Sequence, residues 1–160
     1  LNQFKFLEFN VSLDSYSSSN NYQRWGGNYQ QSFNNVLVYE KIFKKKYIAY
    51  HTTISTLTAN DLAHTLNILT GLHNYHVSID FVRSPEHLCM LYAPPEYVKW
   101  VLAANESNTT AYSVTSNFLK DAVYDVAIWQ QFIETTAKLD NYYNIKLADY
   151  NPALAEFLAR

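Results

Sequence analysis

Residues 46–102 constrain the fold more than any other segment, because their pattern indicates strand, helix, strand, strand and helix in succession. Residues 47–55 are rich in the aromatic and β-branched residues that strands favour. Apolar and polar residues alternate strictly in 75–81, which is typical of a strand with one buried face. The apolar run 88–93 indicates a short strand covered on both faces.

Two helices are predicted within this segment. The first begins after Thr58, a capping residue type with Asp61 three positions later, and it ends at Gly71. Its apolar face is formed by Leu62, Leu66 and Leu69. The second helix has Pro95 in its first turn, where a missing N–H is tolerated, and Asn105 as its stop.

The flanking segments complete the predicted fold. The pattern indicates strands at 3–13 and 36–43, a long loop at 14–34, a long helix at 114–139, and a short helix after Asn151-Pro152. We therefore predict an α+β fold with a mostly antiparallel sheet, a ferredoxin-like (split βαβ) centre and a C-terminal helical appendage.

The whole chain, 1–160, is predicted to be a single α+β domain, since no shift in composition divides it. Residues 1–57 supply N-terminal strands and the long loop, 58–104 the βαββα centre, and 111–160 the helical appendage. No apolar run reaches the roughly 18–20 residues that a membrane-spanning helix needs.

The composition argues against general nucleic-acid binding. The chain has 12 basic and 14 acidic residues, for a net charge of −2. Phosphate binding usually requires an excess of positive charge, and the one basic run, Lys44–Lys46, is interpreted as a solvated turn.

The single cysteine, Cys89, excludes an internal disulfide. Three glycosylation sequons, at Asn10, Asn105 and Asn108, are expected from chance in so Asn- and Ser-rich a chain.

Two strand histidines are each followed two residues later by a hydroxyl residue, in His51-Thr52-Thr53 and His76-Val77-Ser78. Paired motifs of this kind occur in two-histidine phosphoesterases, where two imidazoles act as acid and base. In a ferredoxin-like sheet the strand 88–93 would separate them by about 10 Å, which is long for a shared proton-transfer site. The alternative is two strand residues on a solvent-facing surface.

A metal site is not predicted, although His73, His76 and His87 lie near Cys89 in the sequence. Zinc requires three or four convergent ligands at preferred spacings, and no Cys-x-x-Cys pair supports one here. No glycine-rich phosphate loop or hydrolase motif is present either, so no cofactor is predicted.

Aromatic residues of the predicted long loop are the candidate binding residues. They are Tyr16, Tyr22, Trp25 and Tyr29. Aromatic rings among Ser, Asn and Gly are typical of adaptable contact surfaces. The alternative, equally supported by the sequence, is a loop whose rings fold back onto the core.

One face of the predicted sheet carries a second candidate surface. If Tyr50 and its alternate neighbours face the helices, then His51, His76, Ser78 and Asp80 lie together on the opposite face. Such a face could stack single-stranded bases, but it has few basic residues. We expect the first strand or the long C-terminal helix to cover it.

The sequence thus favours a non-enzymatic protein–protein interaction module, a structural or accessory part of a larger assembly with protein partners or further copies of itself. It predicts a sizeable exposed apolar patch. The first alternative is a small-ligand binder or hydrolase-type enzyme that uses His51, His76 and Asp80. The second is single-stranded nucleic-acid binding through an aromatic sheet face.

Overall fold

The computed structural model describes residues 8–43 and 47–160, which form a three-stranded sheet and its surrounding helices. The strands are β1 (Phe9–Ser12), β2 (Ile48–Ile54) and β3 (His76–Phe81). The helices are α1 (Ser18–Gln23), α2 (Tyr29–Glu40), α3 (Leu62–Leu66), α4 (Pro95–Asn105), α5 (Thr109–Leu119), α6 (Val126–Tyr143), α7 (Leu147–Tyr150) and α8 (Pro152–Leu158). Short 3₁₀ turns lie at Ala59–Asp61, Glu86–Leu88 and Met90–Tyr92, and a π-helical segment, Asn67–Leu72, extends α3.

The prediction of a mixed α+β fold is confirmed, but the prediction of a mostly antiparallel sheet is wrong. All three strands are parallel and lie in the order β1-β2-β3. The connection from β1 to β2 contains α1 and α2, and the connection from β2 to β3 contains α3. Parallel neighbours require such helical crossovers, whereas antiparallel neighbours can be joined by tight turns.

The predicted strand at 36–43 is instead the last part of α2, residues 36–40, followed by a turn at 41–43. Its sequence, rich in Val, Leu and Tyr, has the residue types that strands favour, but the buried residues Phe33 and Val36 lie one helical turn apart. The Asn28 side chain accepts a hydrogen bond from the Gln31 backbone N–H and so caps the start of the helix.

The prediction of a ferredoxin-like centre is also wrong, because residues 88–93 do not form a strand. They form parts of two 3₁₀ turns. The carbonyls of Leu91 and Tyr92 accept hydrogen bonds from the backbone N–H groups of Val123 and Asp125. The segment therefore contacts the connection between α5 and α6 and takes no part in the sheet.

The predicted helix at 114–139 is divided into α5 and α6 by residues 120–125. Asp125 ends the interruption, since its carboxylate accepts hydrogen bonds from two backbone N–H groups at the start of α6. The predicted loop at 14–34 likewise contains α1 and the beginning of α2.

Other predicted elements are confirmed. β2 and β3 lie within the predicted strands, and α4 begins at Pro95 and ends at Asn105. Asn151 caps the last helix by accepting a hydrogen bond from the Leu154 N–H. The predicted strand at 3–13 is confirmed only as the shorter β1, and its residues 3–7 lie outside the described part of the chain.

The core lies against one face of the sheet. Ile48 and Tyr50 of β2 are buried there in one cluster with Phe33 of α2 and Leu69 of the π-helical segment, and Ile54 is buried in a second cluster with residues of the later helices. Crossovers of one hand that proceed in one direction across a sheet place their helices on one face. Within residues 8–43 and 47–160, the order β1-β2-β3 therefore leaves the opposite face without a helical layer over most of its length.

Candidate functional site

The opposite face of the sheet is polar, and most of it is exposed. The strand register places Asn10 beside Ala49 and His76 in one row, and Ser12 beside His51 and Ser78 in the next. His76, Ser78 and Asp80 are exposed, so within the described residues neither the first strand nor the long C-terminal helix covers this part of the face, contrary to expectation. Parallel sheets are usually buried on both faces, which makes an open polar face a candidate site.

His51 and Asp80 are in direct contact on this face. The His51 Nε2 atom lies 2.8 Å from the Asp80 Oδ2 atom. The two residues lie on neighbouring strands, because no strand separates β2 from β3, and the predicted separation of the strands carrying His51 and His76 is wrong. An imidazole paired with a carboxylate is held in one orientation and can transfer protons. His76 lies at the other end of β3, beside Ala49.

Helix α1 closes the carboxyl end of the polar face. Asp14, which is 1% exposed, accepts two hydrogen bonds from the Arg24 guanidinium at 2.7 and 2.9 Å. The same carboxylate accepts hydrogen bonds from the Gln23 side chain and the Thr53 backbone N–H. The hydrogen bond to Asp14 raises the pKa of Arg24. A fully occupied carboxylate of this kind holds α1 on the sheet.

A second carboxylate gathers the serines that precede and begin α1. The Asp61 Oδ2 atom accepts hydrogen bonds from the hydroxyls of Ser15, Ser17 and Ser19 at 3.1, 2.6 and 2.5 Å. The Ser17 side chain also caps α1. The spacing Ser-x-Ser-x-Ser is the sequence feature that could have indicated this cluster. Each of these hydroxyls is already bonded to the Asp61 carboxylate. The cluster therefore joins the connection between β1 and β2, which contains the serines, to the connection between β2 and β3, which contains Asp61.

The predicted aromatic binding residues do not form one surface. Tyr16 packs edge-on against Tyr29, with ring centroids 5.5 Å apart. Tyr22 is buried and donates a hydrogen bond to Asp140 on α6, and burial followed by this bond raises its pKa. Trp25 is 46% exposed and stacks on Tyr143. The set is thus divided between α2, the C-terminal helices and the surface.

A second candidate site is an apolar groove between α4, α6 and α8. Its volume is about 530 Å³. It is lined by Pro94, Glu96, Trp100, Trp129, Ile133, Phe157, Leu158 and Arg160. The Trp100 and Phe157 rings are stacked with centroids 5.1 Å apart. A neighbouring cavity of about 630 Å³ shares Ile133 and Leu158 with this groove.

Exposed apolar residues also lie at and just before the start of α6. Val126 is 67% exposed and lies one turn before Trp129, so both side chains lie along one stripe of the helix. Val123 and Tyr124, just before the helix, are 69% and 46% exposed. In the predicted helix at 114–139, Val126, Trp129 and Ile133 recur at steps of three and four and so form one apolar stripe, but this pattern gave no sign of the groove. No spacing along the chain relates this stripe to Trp100 and Phe157, the other aromatic residues of the groove.

Other candidate chemistry is scattered. Within residues 8–43 and 47–160, no three His, Cys, Asp or Glu side chains are grouped as a metal site would require. The His73 ring packs on Phe33 and Tyr75, and Cys89 is buried. Over the same described ranges, no helix is long and apolar enough to cross a membrane.

The asparagine side chains of two of the three sequons form hydrogen bonds within the protein. Asn105 is fully buried and forms three hydrogen bonds. Asn108 caps α5 and accepts a hydrogen bond from the Ala111 N–H. Asn10 is exposed on β1.

Comparison with known proteins places the chain in no group, since no protein-family model, curated protein or solved structure matches it.

Proposed function

We propose that this chain is a protein–protein interaction module, an accessory part of a larger assembly, and that the groove between α4, α6 and α8 receives a segment of its partner. The observation that carries the proposal is the apolar lining of the groove by Trp100, Trp129 and Phe157, with exposed Val126 one helical turn before Trp129. Tryptophan-lined clefts are favoured centres of binding energy. Glu96 and Arg160 add opposite charges to the groove lining, as in polar-rimmed interfaces.

The surface also fits the size of a bound segment. Ligand-binding clefts typically have volumes of about 300–1,000 Å³, and this groove lies within that range. Val123 and Tyr124, just before α6, are also exposed, and Tyr124 lines a separate pocket beside α4. Contiguous exposed apolar side chains beside a cleft are characteristic of protein contact sites.

Replacing Val126 with Glu tests this proposal. The new charge would lie one helical turn from the groove-lining Trp129 and at a helix N-terminus, where a negative charge is favourable for folding. We expect the protein to fold normally and partner affinity to fall at least tenfold, since a buried unpaired charge opposes binding. The measurement is the native mass of the complex purified from the protein's own source, followed by the affinity of each variant for the partner identified there.

The matched control is Val38→Glu, at an exposed valine on α2, far from the groove in the sequence. Fluorescence gives a second measurement, because two of the three tryptophans line the groove and Trp25 can be replaced with Phe. Partner binding should then change the emission of Trp100 and Trp129. Equal loss of affinity in both Glu variants, or an unchanged emission on binding, would exclude the groove as the contact site.

The contact between His51 and Asp80 favours a second candidate function, a small-ligand binder or hydrolase-type enzyme on the polar face. If this is correct, activated ester or phosphoester substrates will be hydrolysed, and His51→Ala will reduce the rate about 100-fold or more. His64→Ala is the control, since His64 is exposed on α3. Equal rates in wild type and His51→Ala, measured with the same substrates, would remove this candidate.

A further inference from the structure

The outer edge of β3 is a free hydrogen-bonding edge in the described part of the chain. The Val82 N–H donates to the Ile54 carbonyl, which sets the phase of the ladder. Backbone groups of His76, Ser78 and Asp80 therefore point towards β2, and those of Val77 and Ile79 point away from it. Within residues 8–43 and 47–160, no backbone or side-chain group bonds to these outward N–H and C=O groups.

β3 also lacks the features that usually protect an edge strand. Natural edges carry lysine, proline or bulges, or they are very short. The six residues of β3 contain no lysine or proline, and they alternate regularly between polar and apolar. Val77 and Ile79 are only partly buried. A neighbouring strand would cover both side chains and satisfy the outward backbone groups.

We propose that β3 pairs antiparallel with β3 of a second copy of this chain, about a two-fold axis at Ser78. In this register Val77 lies opposite Ile79 of the second copy, and these outward-pointing residues exchange backbone hydrogen bonds. His76 lies opposite Asp80 of the second copy, on the polar face. Each apolar residue thus meets an apolar residue, and each imidazole meets a carboxylate, as a self-complementary two-fold interface requires.

The charges select this register over its neighbours. An axis at Asp80 would place two carboxylates opposite each other, which is unfavourable. An axis at Ile79 would place Asp80 opposite Ser78 and leave His76 without a charged residue opposite it. Only the axis at Ser78 pairs opposite types at both ends of the strand.

Asp80 is able to bridge two histidines in this arrangement. Its Oδ2 atom contacts His51 of its own chain, and its Oδ1 atom has no hydrogen bond within the described residues. The imidazole of His76 from the second copy would approach that oxygen. The two three-stranded sheets would join into one of six strands, with the apolar grooves on their helices still accessible.

Site-directed cross-linking tests both the dimer and its register. In a non-hydrogen-bonded antiparallel pair the two Cα atoms lie about 4.5 Å apart, within the range of a disulfide. Ser78→Cys should therefore form a covalent dimer on mild oxidation. His76→Cys alone should not, but it should cross-link when mixed with Asp80→Cys. The native Cys89 is 3% exposed and gives no competing reaction.

A pair of charge variants tests the same contact without oxidation. His76→Asp places a carboxylate opposite Asp80 of the second copy, whereas His76→Lys places a positive charge opposite it. His76 and Asp80 are both exposed in the single chain. We expect the dimer dissociation constant of His76→Asp to exceed that of His76→Lys at least about tenfold, because the contact occurs twice. The measurement is light scattering across a concentration series, with 18.6 kDa as the mass of one chain.

Three results would overturn the proposal. The first is the mass of a single chain at every concentration, and the second is equal cross-linking of Ser78→Cys and His76→Cys. The third is a dimer of equal strength in both charge variants, which would place the interface elsewhere. None of these results bears on the partner groove, which lies on α4, α6 and α8.

Discussion

Raising the pH above about 10 is expected to unfold this protein steeply, with a loss of about 5 kcal/mol of stability per pH unit once the unfolded chain has ionised. Four buried tyrosines carry the effect. They are Tyr22, Tyr50, Tyr75 and Tyr97, and none is more than 4% exposed. Burial is the largest cause that raises the pKa of each phenol, since a tyrosinate would lose its hydration in the core.

The sign of the effect follows from proton binding. In the unfolded chain these phenols ionise near their ordinary pKa of 10.0, whereas in the folded protein they remain protonated at higher pH. The stabilisation is fully present below pH 10 and is lost as the pH rises towards the folded values. Each of the four retained protons contributes about 1.4 kcal/mol per pH unit to the slope.

Tyrosinate absorbance near 295 nm and far-ultraviolet circular dichroism, followed together against pH, provide the measurement. Exposed tyrosines should ionise first, and the buried group should ionise only as the helical signal disappears. Tyr97 donates a hydrogen bond to the Thr56 carbonyl, and Tyr97→Phe should reduce the slope by about a quarter.

Tyr142→Phe is the matched control, because Tyr142 is 83% exposed, and its slope should equal that of wild type. Full ionisation of all tyrosines in one early step, with circular dichroism unchanged, would contradict the prediction.

Elements with strong local signals were predictable from the sequence. β3 follows its strict alternation, because one of its faces is buried and the other is exposed. α4 and α8 begin at prolines, where the fixed backbone angle and missing N–H suit a first helical turn. In each case a few neighbouring residues determine the conformation by themselves.

Strand direction could not be predicted, because it depends on what lies between the strands. Residues 36–43 have strand-forming side chains, but packing of Phe33 and Val36 on the sheet outweighs that preference. Once this segment is helical, the connection to β2 becomes a crossover and the strands become parallel. The predicted distance between the strands carrying His51 and His76 failed for a separate reason, because residues 88–93 form 3₁₀ turns and do not lie between β2 and β3.

The polar sheet face and the apolar groove also differ in how far the sequence could predict them. The alternation of β2 and β3 correctly placed His51 and Asp80 on one face, since side-chain direction in a strand follows sequence parity. The aromatic groove required knowledge of how α4, α6 and α8 pack together. Trp100, Trp129 and Phe157 come from three helices, and no spacing along the chain relates them.

The second large effect is expected at Asn105, where substitution with Ala should destabilise the protein by about 3–4 kcal/mol. Its side chain is completely buried. The Oδ1 atom accepts a hydrogen bond from the Ala63 N–H at 2.8 Å, and the Nδ2 group donates to the Ala59 carbonyl at 2.9 Å. An alanine would leave both of these backbone groups buried without partners, and each such group costs about 1–3 kcal/mol.

Asn105 also performs the role that the sequence assigned to Thr58. The Thr58 side chain does not cap the helical segment that follows it, and the start of α3 receives its cap from α4 instead. The hydrogen bond between Ala63 and Asn105, which are 42 residues apart in the sequence, thus joins α3 to α4. The loss should consequently affect global unfolding and not only the end of α4.

Thermal unfolding followed by circular dichroism measures the effect, with an expected decrease in Tm of about 10 °C for a chain of this size. Asn117→Ala on α5 is the matched control, because Asn117 is exposed and its Tm should change by no more than a degree or two. If the unfolding free energy of Asn105→Ala lay within about 1 kcal/mol of that of wild type, the side chain would not be the cap of α3.

Asn105→Asp separates the two hydrogen bonds, since its carboxylate can still accept from Ala63 but cannot donate to Ala59 when ionised. That variant should therefore be less stable at neutral pH than at low pH, where a protonated carboxyl can donate again.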